Sequence, residues 1–242
     1  RSTETGTAYL VNTDVTVNNN LVNINGAYDN QTSSVAIILA NTDTNLPATG
    51  LVTGTYKVYA IDAAGNLSSA SSNSVTVMDP SLEAFYPFNG NANDLTSNGR
   101  NLAVYGGTTF IAGKDNSSNN SAYSFDGSGD YLEYTANIPS FDNYTISLWA
   151  KPDSSGDYKA MFSSDNNSGR GFQIDIECDS PGSGCRFHIR KAGSSGGNID
   201  LSTPELGVWT FIAFTYDGTN SIGYIDDEIP VSDSGGTTEF NR

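Results

Sequence analysis

Short stretches of alternating apolar and polar residues recur along the whole chain, and each is bounded by Asn, Gly, Asp or Ser. Residues 54–66 and 144–152 contain examples. A period of two places alternate side chains on opposite faces of a β-strand, and no stretch shows the 3.6-residue period of an amphipathic helix. The pattern therefore predicts an all-β protein made of short strands and turns.

The clearest break in this pattern is Met78-Asp79-Pro80, directly after a predicted strand over residues 74–77. Proline lacks the N–H group that a continuing strand would need. A chain of 242 residues is long enough for two ordinary β domains, each with its own core. We predict one domain over residues 1–78 and a second over residues 79–242.

The segment 54–77 contains an alternating strand, a turn and a second strand. It resembles the last hairpin of a bacterial immunoglobulin-like or cadherin-like domain. The resemblance implies a spacer domain in which Tyr56 hydrogen-bonds to the backbone at a corner of the sandwich. Asp62 and Asn66 could ligate calcium, but a hydrogen-bonded turn is the simpler expectation.

Four motifs occur in order in the second predicted domain: LEAFYPFNGNAND from residue 82, SAYSFDG from residue 121, YTISLWAKP from residue 144 and WTFIAFTYDG from residue 209. Together they resemble the laminin-G-like and concanavalin-like jelly rolls of bacterial surface proteins and carbohydrate-active enzymes. The resemblance implies two antiparallel sheets packed face to face that bind glycans or proteins, often beside a structural calcium. The predicted architecture is an immunoglobulin-like β-sandwich followed by a concanavalin-like jelly roll.

Composition narrows the choice of partners. The formal net charge is −16, although only 16% of the residues are charged. A negative field of this size repels nucleic acid and anionic membranes and attracts cations. The longest apolar run, residues 35–40, is far shorter than the roughly 18 residues of a membrane span. We exclude nucleic-acid partners and a membrane span, and predict a secreted or cell-surface protein.

The two cysteines, Cys178 and Cys185, flank a turn that contains Pro and Gly. Pairing them across a hairpin gives one continuously apolar face. The opposite face then carries the candidate ligand-binding residues Gln173, Asp175, Glu177, Arg186, His188 and Arg190. A disulfide indicates an oxidising compartment, and two free thiols are the alternative.

The run QIDIE at residues 173–177 nearly matches the Glu-x-Asp-x-Glu strand of laminarinase-type glycoside hydrolases, which share the concanavalin-like fold. In those enzymes alternate carboxylates act together on one sugar bond. Here Gln173 replaces the first carboxylate, and Arg186 and His188 offer ion pairs to the other two. The sequence therefore predicts no enzymatic activity. His188 is also the only histidine, which excludes a catalytic triad and a multi-histidine zinc site. A metal site with one histidine stays open, but a cross-strand pairing with Asp175 is the favoured expectation.

A loop in the first of the four motifs is the predicted metal site. Its oxygen-bearing side chains are Asn89, Asn91, Asn93 and Asp94. Amide and carboxylate oxygens suit a hard cation, and the family resemblance adds the expectation of a structural calcium ion. The alternative is a turn rich in Asn and Asp that binds no metal.

The large aromatic residues are expected to divide between core and surface. Trp149 and Trp209 lie in predicted strands and are predicted to fill the sandwich core. Tyr105 and Tyr158, beside loops rich in Gly and Ser, are the better candidates for exposed rings.

These features predict a non-catalytic carbohydrate-binding or adhesive module whose partner is a glycan or a surface protein. The main alternative is a structural subunit of an extracellular filament or surface layer, and a glycoside hydrolase is less favoured. The family resemblance implies a closing strand beside the opening one, for which the residues up to Arg242 are too few. We expect either that the protein continues past Arg242 or that a segment of a neighbouring subunit completes the sheet. A strand over Leu82–Phe88 would then be an open edge, available for self-association by strand addition with residues 8–17 as donor.

Overall fold

The computed structural model describes residues 2–18, 24–114, 121–154, 159–164, 172–179, 184–190 and 198–233. The named elements within these residues are all strands, so the all-β prediction is confirmed. Their bounds are β1 Gly6–Asn12, β2 Thr32–Ile37, β3 Gly54–Asp62, β4 Ser74–Val77, β5 Ala103–Tyr105, β6 Thr109–Ile111, β7 Ala122–Ser124, β8 Tyr131–Glu133, β9 Tyr144–Ala150, β10 Phe162–Ser163, β11 Gln173–Glu177, β12 Arg186–Arg190, β13 Ile199–Asp200, β14 Thr210–Tyr216, β15 Ser221–Ile225 and β16 Val231–Asp233.

The chain divides into two compact units. The first comprises Arg1–Tyr86 and Asp94–Arg100, and the second comprises Pro87–Asn93 and Asn101–Arg242. Strands β1 to β4 therefore belong to the first unit and β5 to β16 to the second. The sequence pattern had placed the boundary after residue 78, whereas this division assigns residues 79–86 to the first unit.

The first unit contains a four-stranded antiparallel sheet in the order β2-β1-β3-β4. Tyr56 on β3 is fully buried, and its hydroxyl donates a hydrogen bond to the carbonyl of Val52 at 2.8 Å. The predicted bond from this tyrosine to the backbone is thus present. Because the described residues of this unit supply one sheet rather than the two of a sandwich, the immunoglobulin-like class stays a prediction.

Asp62 and Asn66 form a hydrogen-bonded turn after β3. Asp62 Oδ1 accepts hydrogen bonds from the backbone N–H groups of Ala64 and Asn66, and Oδ2 accepts one from the Asn66 side chain at 2.7 Å. The bond from the Asn66 side chain, followed by those from the backbone, lowers the pKa of the Asp62 carboxyl. The hydrogen-bonded turn is therefore the arrangement that the structure shows.

The second unit is a β-sandwich. One sheet has the order β10-β11-β12-β13 and the other β16-β15-β14-β9, and all pairings in both are antiparallel. The inward side chains of the two sheets form a single hydrophobic cluster that includes Phe172, Ile189 and Phe214. Two short pairs, β5–β8 and β6–β7, belong to the same unit. This arrangement agrees with the concanavalin-like sandwich predicted for the C-terminal part.

Gly223 on β15 allows the two sheets of the sandwich to approach closely. A Cβ atom at this position would lie 2.9 Å from Ile199 and 3.1 Å from both Ile189 and Leu201. These distances are shorter than normal van der Waals separations between carbon atoms. The glycine therefore leaves the space that side chains of the facing sheet occupy.

Trp149 does not lie in the core, so the prediction for this residue is wrong. On β9 the residues Ile146 and Leu148 pack against the cluster, while Trp149 points outward and is 43% exposed. Lys114 Nζ lies 3.8 Å from the centre of its ring, in a cation–π contact. Trp209 is half-buried.

The predicted exposed tyrosines have different outcomes. Tyr105 is 39% exposed, as expected, and its ring stacks on that of Tyr131 with centroids 4.5 Å apart. Tyr158 lies outside the described residues.

The strand predicted over residues 82–88 is absent, which corrects the strand-addition hypothesis. The backbone N–H of Phe85 bonds to the side chain of Asp94 at 3.0 Å, and its carbonyl accepts from Leu95 at 3.0 Å. The predicted donor, residues 8–17, overlaps β1, which already pairs with β2 on one side and with β3 on the other. The described residues therefore contain neither the open edge nor the free donor strand that the hypothesis needs.

Candidate functional site

The β11–β12 hairpin has the predicted disulfide and register. Cys178 and Cys185 are bonded to each other. The pairs that follow along the hairpin are Glu177–Arg186, Ile176–Phe187, Asp175–His188, Ile174–Ile189 and Gln173–Arg190. Because side chains alternate along each strand, this register brings all six predicted ligand-face residues to one face of the sheet.

The apolar face of the hairpin anchors the site in the core. Ile174, Ile176, Phe187 and Ile189 are each at most 1% exposed and belong to the hydrophobic cluster between the sheets. A fully buried side chain of this size contributes about 1.5–3 kcal/mol relative to an exposed one. The polar face is thus carried by strands that the core holds firmly.

His188 lies at the centre of the polar face, between two carboxylates. Its Nδ1 is 3.0 Å from Asp175 Oδ1, and its Nε2 is 3.1 Å from Glu177 Oε2. Asp175 is 0% exposed and His188 is 1% exposed, whereas Glu177 is partly exposed. The two buried residues therefore hold their neighbours in position rather than contacting solvent.

Two arginines complete the network. Arg190 Nη2 lies 3.3 Å from the second oxygen of Asp175. Arg186 reaches three carboxylates: Nη1 is 2.7 Å from Asp179, Nε is 3.0 Å from Asp200 and Nη2 is 3.7 Å from Glu177. The contact with Asp179, followed by that with Asp200, raises the pKa of the Arg186 guanidinium above its usual range.

The sequence analysis missed Asp179 and Asp200. Asp179 follows Glu177 by two residues, so the strand period already places it on the polar side. Asp200 lies opposite His188 on β13. The sequence before β13 is rich in Gly and Ser, which specify strand register only weakly. The pairing of Asp200 with His188 was therefore not predictable from the sequence.

At the predicted calcium loop, the carboxylate of Asp94 is an acceptor for four protein donors. Oδ1 accepts from the backbone N–H groups of Phe85 and Thr96 at 3.0 and 2.9 Å, and Oδ2 accepts from the Thr96 hydroxyl and the Arg100 N–H at 2.9 Å each. Burial raises the pKa of Asp94, but these bonds outweigh burial and hold the pKa below its usual range.

The asparagines of the same loop also have local contacts. Asn91 Oδ1 accepts a hydrogen bond from the Asn93 N–H at 2.9 Å, and the Asn91 amide lies 3.5 Å from the Asn89 carbonyl. These are the contacts of a turn rich in Asn. Calcium binding at this loop stays a prediction.

Comparison with known proteins relates the C-terminal part of the chain to one superfamily. Residues 126–238 match the family model described as "Concanavalin A-like lectin/glucanases superfamily". The matched segment contains β8 to β16, and therefore both sheets of the sandwich and the whole polar face. No curated protein matches the chain.

Among solved structures, the chain is similar to domain 4 of AbnA, a GH43 extracellular arabinanase from Geobacillus stearothermophilus, solved in complex with arabinotriose. The identity is 18% and the TM-score 0.44, and the similarity covers 64% of this chain and 79% of that one.

Two further observations bear on where the protein resides. Within the described ranges, no helix is both long and apolar enough to cross a membrane. The disulfide indicates an oxidising, extracellular environment, because the cytosol keeps thiols reduced.

Removing the disulfide is expected to destabilise the second unit. Replacing Cys178 and Cys185 together by serine should lower its free energy of unfolding by about 2–3 kcal/mol, because the closed loop is short. Denaturant unfolding of the variant and the oxidised protein measures the difference. Reductant should lower the stability of the original protein and leave that of the double variant unchanged. Equal stability of the oxidised and reduced forms would contradict the expectation.

Proposed function

We propose that the second unit is a non-catalytic glycan-binding module of a secreted protein, and that the glycan binds to the polar face of β11, β12 and β13. The observation that carries the proposal is the ion-paired array on this face, which fixes charged groups at partly exposed positions. Carboxylates accept and guanidinium groups donate hydrogen bonds, and sugar hydroxyls do both. The match of residues 126–238 to a superfamily of lectins and glucanases supports this assignment.

The polar face divides into residues for contact and residues for support. The partly exposed or exposed members that can reach a ligand are Gln173, Glu177, Arg186, Arg190 and Asp200. Asp175 and His188 are buried beneath them and fix the positions of Arg190 and Glu177. Such preorganisation reduces the entropy that a binding site loses when its side chains are ordered by a ligand.

The contacts of the acidic residues support binding without hydrolysis. A retaining glycosidase uses two carboxyl groups about 5–5.5 Å apart, one as nucleophile and one as acid. Glu177 and Asp200 offer ligand oxygens within 4.8 Å of each other, but both also contact Arg186. Glu177 additionally contacts His188. Both carboxylates are therefore ion-paired in the structure, and the amide of Gln173 cannot form a glycosyl-enzyme intermediate.

Glycan binding should depend on the polar face. In a panel of neutral and acidic glycans, the full chain is expected to bind at least one member. Glu177→Gln and Gln173→Ala should each weaken this binding about tenfold, which corresponds to about 1.4 kcal/mol or one good hydrogen bond. Ser147→Ala is the matched control, because Ser147 is exposed on the outer face of β9 in the other sheet. Isothermal titration calorimetry measures the affinities.

Two results would overturn the proposal. In the first, Glu177→Gln and Gln173→Ala leave glycan binding unchanged while Ser147→Ala weakens it. The glycan would then bind to the other sheet. In the second, the protein releases reducing sugar ends from a bound glycan, and Glu177→Gln abolishes this release. The unit would then be a hydrolase.

A further inference from the structure

Three side chains from three neighbouring strands converge on one point of the polar face. They are Glu177 on β11, His188 on β12 and Asp200 on β13. His188 Nε2 lies 3.1 Å from Glu177 Oε2 and 4.0 Å from Asp200 Oδ1, and all three ligand atoms fall within 4.8 Å of one another. In a tetrahedral site with bonds of 2.0–2.2 Å, neighbouring ligand atoms are roughly 3.3–3.5 Å apart. Small side-chain rotations would therefore bring this set into coordination distance.

The contacts of His188 point to a cation at this position. A neutral imidazole has a single N–H, yet a carboxylate lies at hydrogen-bond distance from each ring nitrogen. If Nδ1 donates to the fully buried Asp175, then Nε2 directs a lone pair at Glu177, which is also an acceptor. A metal ion between Nε2 and Glu177 would satisfy both atoms. A histidine whose other nitrogen donates to a carboxylate is the arrangement that proteins use to orient a metal-binding imidazole.

The charge balance also favours an additional cation. Four carboxylates, listed as Asp175, Glu177, Asp179 and Asp200, surround this point, and the two guanidinium groups of Arg186 and Arg190 contact them. The acidic groups thus exceed the arginines by two. Burial penalises an unpaired ion at Asp175 and Glu177, which are buried and half-buried, whereas Asp179 and Asp200 are 72% and 55% exposed.

Arg186 is the group that a metal would have to displace. Its Nε lies 3.0 Å from Asp200, but the Nε–H is buried and has no aligned hydrogen-bond acceptor within the described part of the chain. Its shortest contact is with Asp179, at 2.7 Å. The guanidinium can therefore keep Asp179 and give up Asp200 and Glu177.

We propose that Glu177, His188 and Asp200 form a binding site for one divalent transition-metal ion of the zinc class, for which Arg186 competes. An imidazole nitrogen with two carboxylate oxygens suits zinc and its first-row neighbours, whereas calcium and magnesium prefer oxygen ligands alone. Three protein ligands leave one tetrahedral position for water or a ligand oxygen. The site is separate from the predicted calcium loop and does not depend on glycan binding.

Zinc titration of the metal-free full chain tests the site. We expect one Zn²⁺ per chain by calorimetry and a rise in the melting temperature of the second unit, because an ion bound to the native state alone stabilises it. Asp200→Asn and Glu177→Gln should each weaken the affinity at least about tenfold. Arg186→Gln should strengthen it by about tenfold, because the competing charge is gone. Glu205→Gln, which changes an exposed carboxylate of the same unit, is the matched control and should change nothing.

A readout from the metal itself distinguishes coordination from loose binding to acidic groups. Co²⁺ in place of Zn²⁺ should give the visible absorption of a tetrahedral site, and Asp200→Asn should abolish it. The proposal is overturned if neither the original chain nor Arg186→Gln binds Zn²⁺, or if the two ligand variants bind as tightly as the control. Glycan binding is measured separately in EDTA, so its outcome does not decide this one.

Discussion

Asp175→Ala is expected to lower the free energy of unfolding of the second unit by about 3–5 kcal/mol. Asp175 is completely buried, and its two oxygens contact His188 and Arg190. The variant leaves the buried imidazole and the guanidinium without their acceptor, which costs more than the loss of the pair itself. Denaturant unfolding monitored by circular dichroism measures the change.

Two matched variants identify the cause of this loss. Asp200→Ala removes a carboxylate from the same network, but Asp200 is 55% exposed, so the cost should stay below about 1 kcal/mol. In a double variant, leucine replaces both Asp175 and His188. This protein should be more stable than Asp175→Ala alone. Equal costs for Asp175→Ala and Asp200→Ala would show that burial has no influence on the network.

Asp94→Ala should destabilise the first unit by at least about 3 kcal/mol, because three backbone N–H groups and one hydroxyl lose a charged acceptor. Asp94→Asn keeps one oxygen and should cost less. Asp79→Ala is the control, because the Asp79 carboxylate is exposed and accepts hydrogen bonds from Ser81 within its own turn. Thermal and denaturant unfolding measure the three variants.

The stabilisation that Asp94 provides to the first unit should depend on pH but not on calcium. Its pKa is lowered in the folded state, so the stabilisation is complete above the ordinary aspartate pKa of about 3.9. It is lost as the pH falls through the lowered pKa of the native protein. Asp94→Ala should remove this part of the acid dependence. If EDTA removed the cost of Asp94→Ala at pH 7, the residue would act through a calcium ion rather than through these hydrogen bonds.

The sequence predicted the β11–β12 hairpin because two independent constraints agree there. The cysteine pair fixes one register, and the alternation of Ile174 and Ile176 with polar residues independently requires the same one. The alternation assigns residues to a face but does not say what covers that face. The complete burial of Asp175 and His188 on the polar side was therefore not predictable.

Two structural predictions were wrong, and the physical cause of one of them can be read from the sequence. Along β9, Ser147 and Trp149 alternate with the apolar residues Ile146 and Leu148, so the alternation places Trp149 on the outer face. The prediction for Trp149 was wrong because it relied on the large apolar side chain rather than on this alternation. The strand over residues 82–88 failed for a different reason. The buried side chain of Asp94 accepts the hydrogen bond from the Phe85 N–H, which a neighbouring strand would otherwise accept. The alternation of apolar and polar residues gives no information about such a side-chain acceptor.

The exposed indole of Trp149 provides an intrinsic optical reporter on the side of the sandwich opposite the polar face. Its emission depends on contact with water and on the ammonium group of Lys114 above its ring. A glycan bound to β11 and β12 should leave the quenching of this indole by iodide unchanged. A ligand that stacks on the outer face of β9 would shield it. Fluorescence of a Trp209→Phe variant, in which Trp149 is the sole tryptophan, can therefore assign a bound ligand to one side of the sandwich.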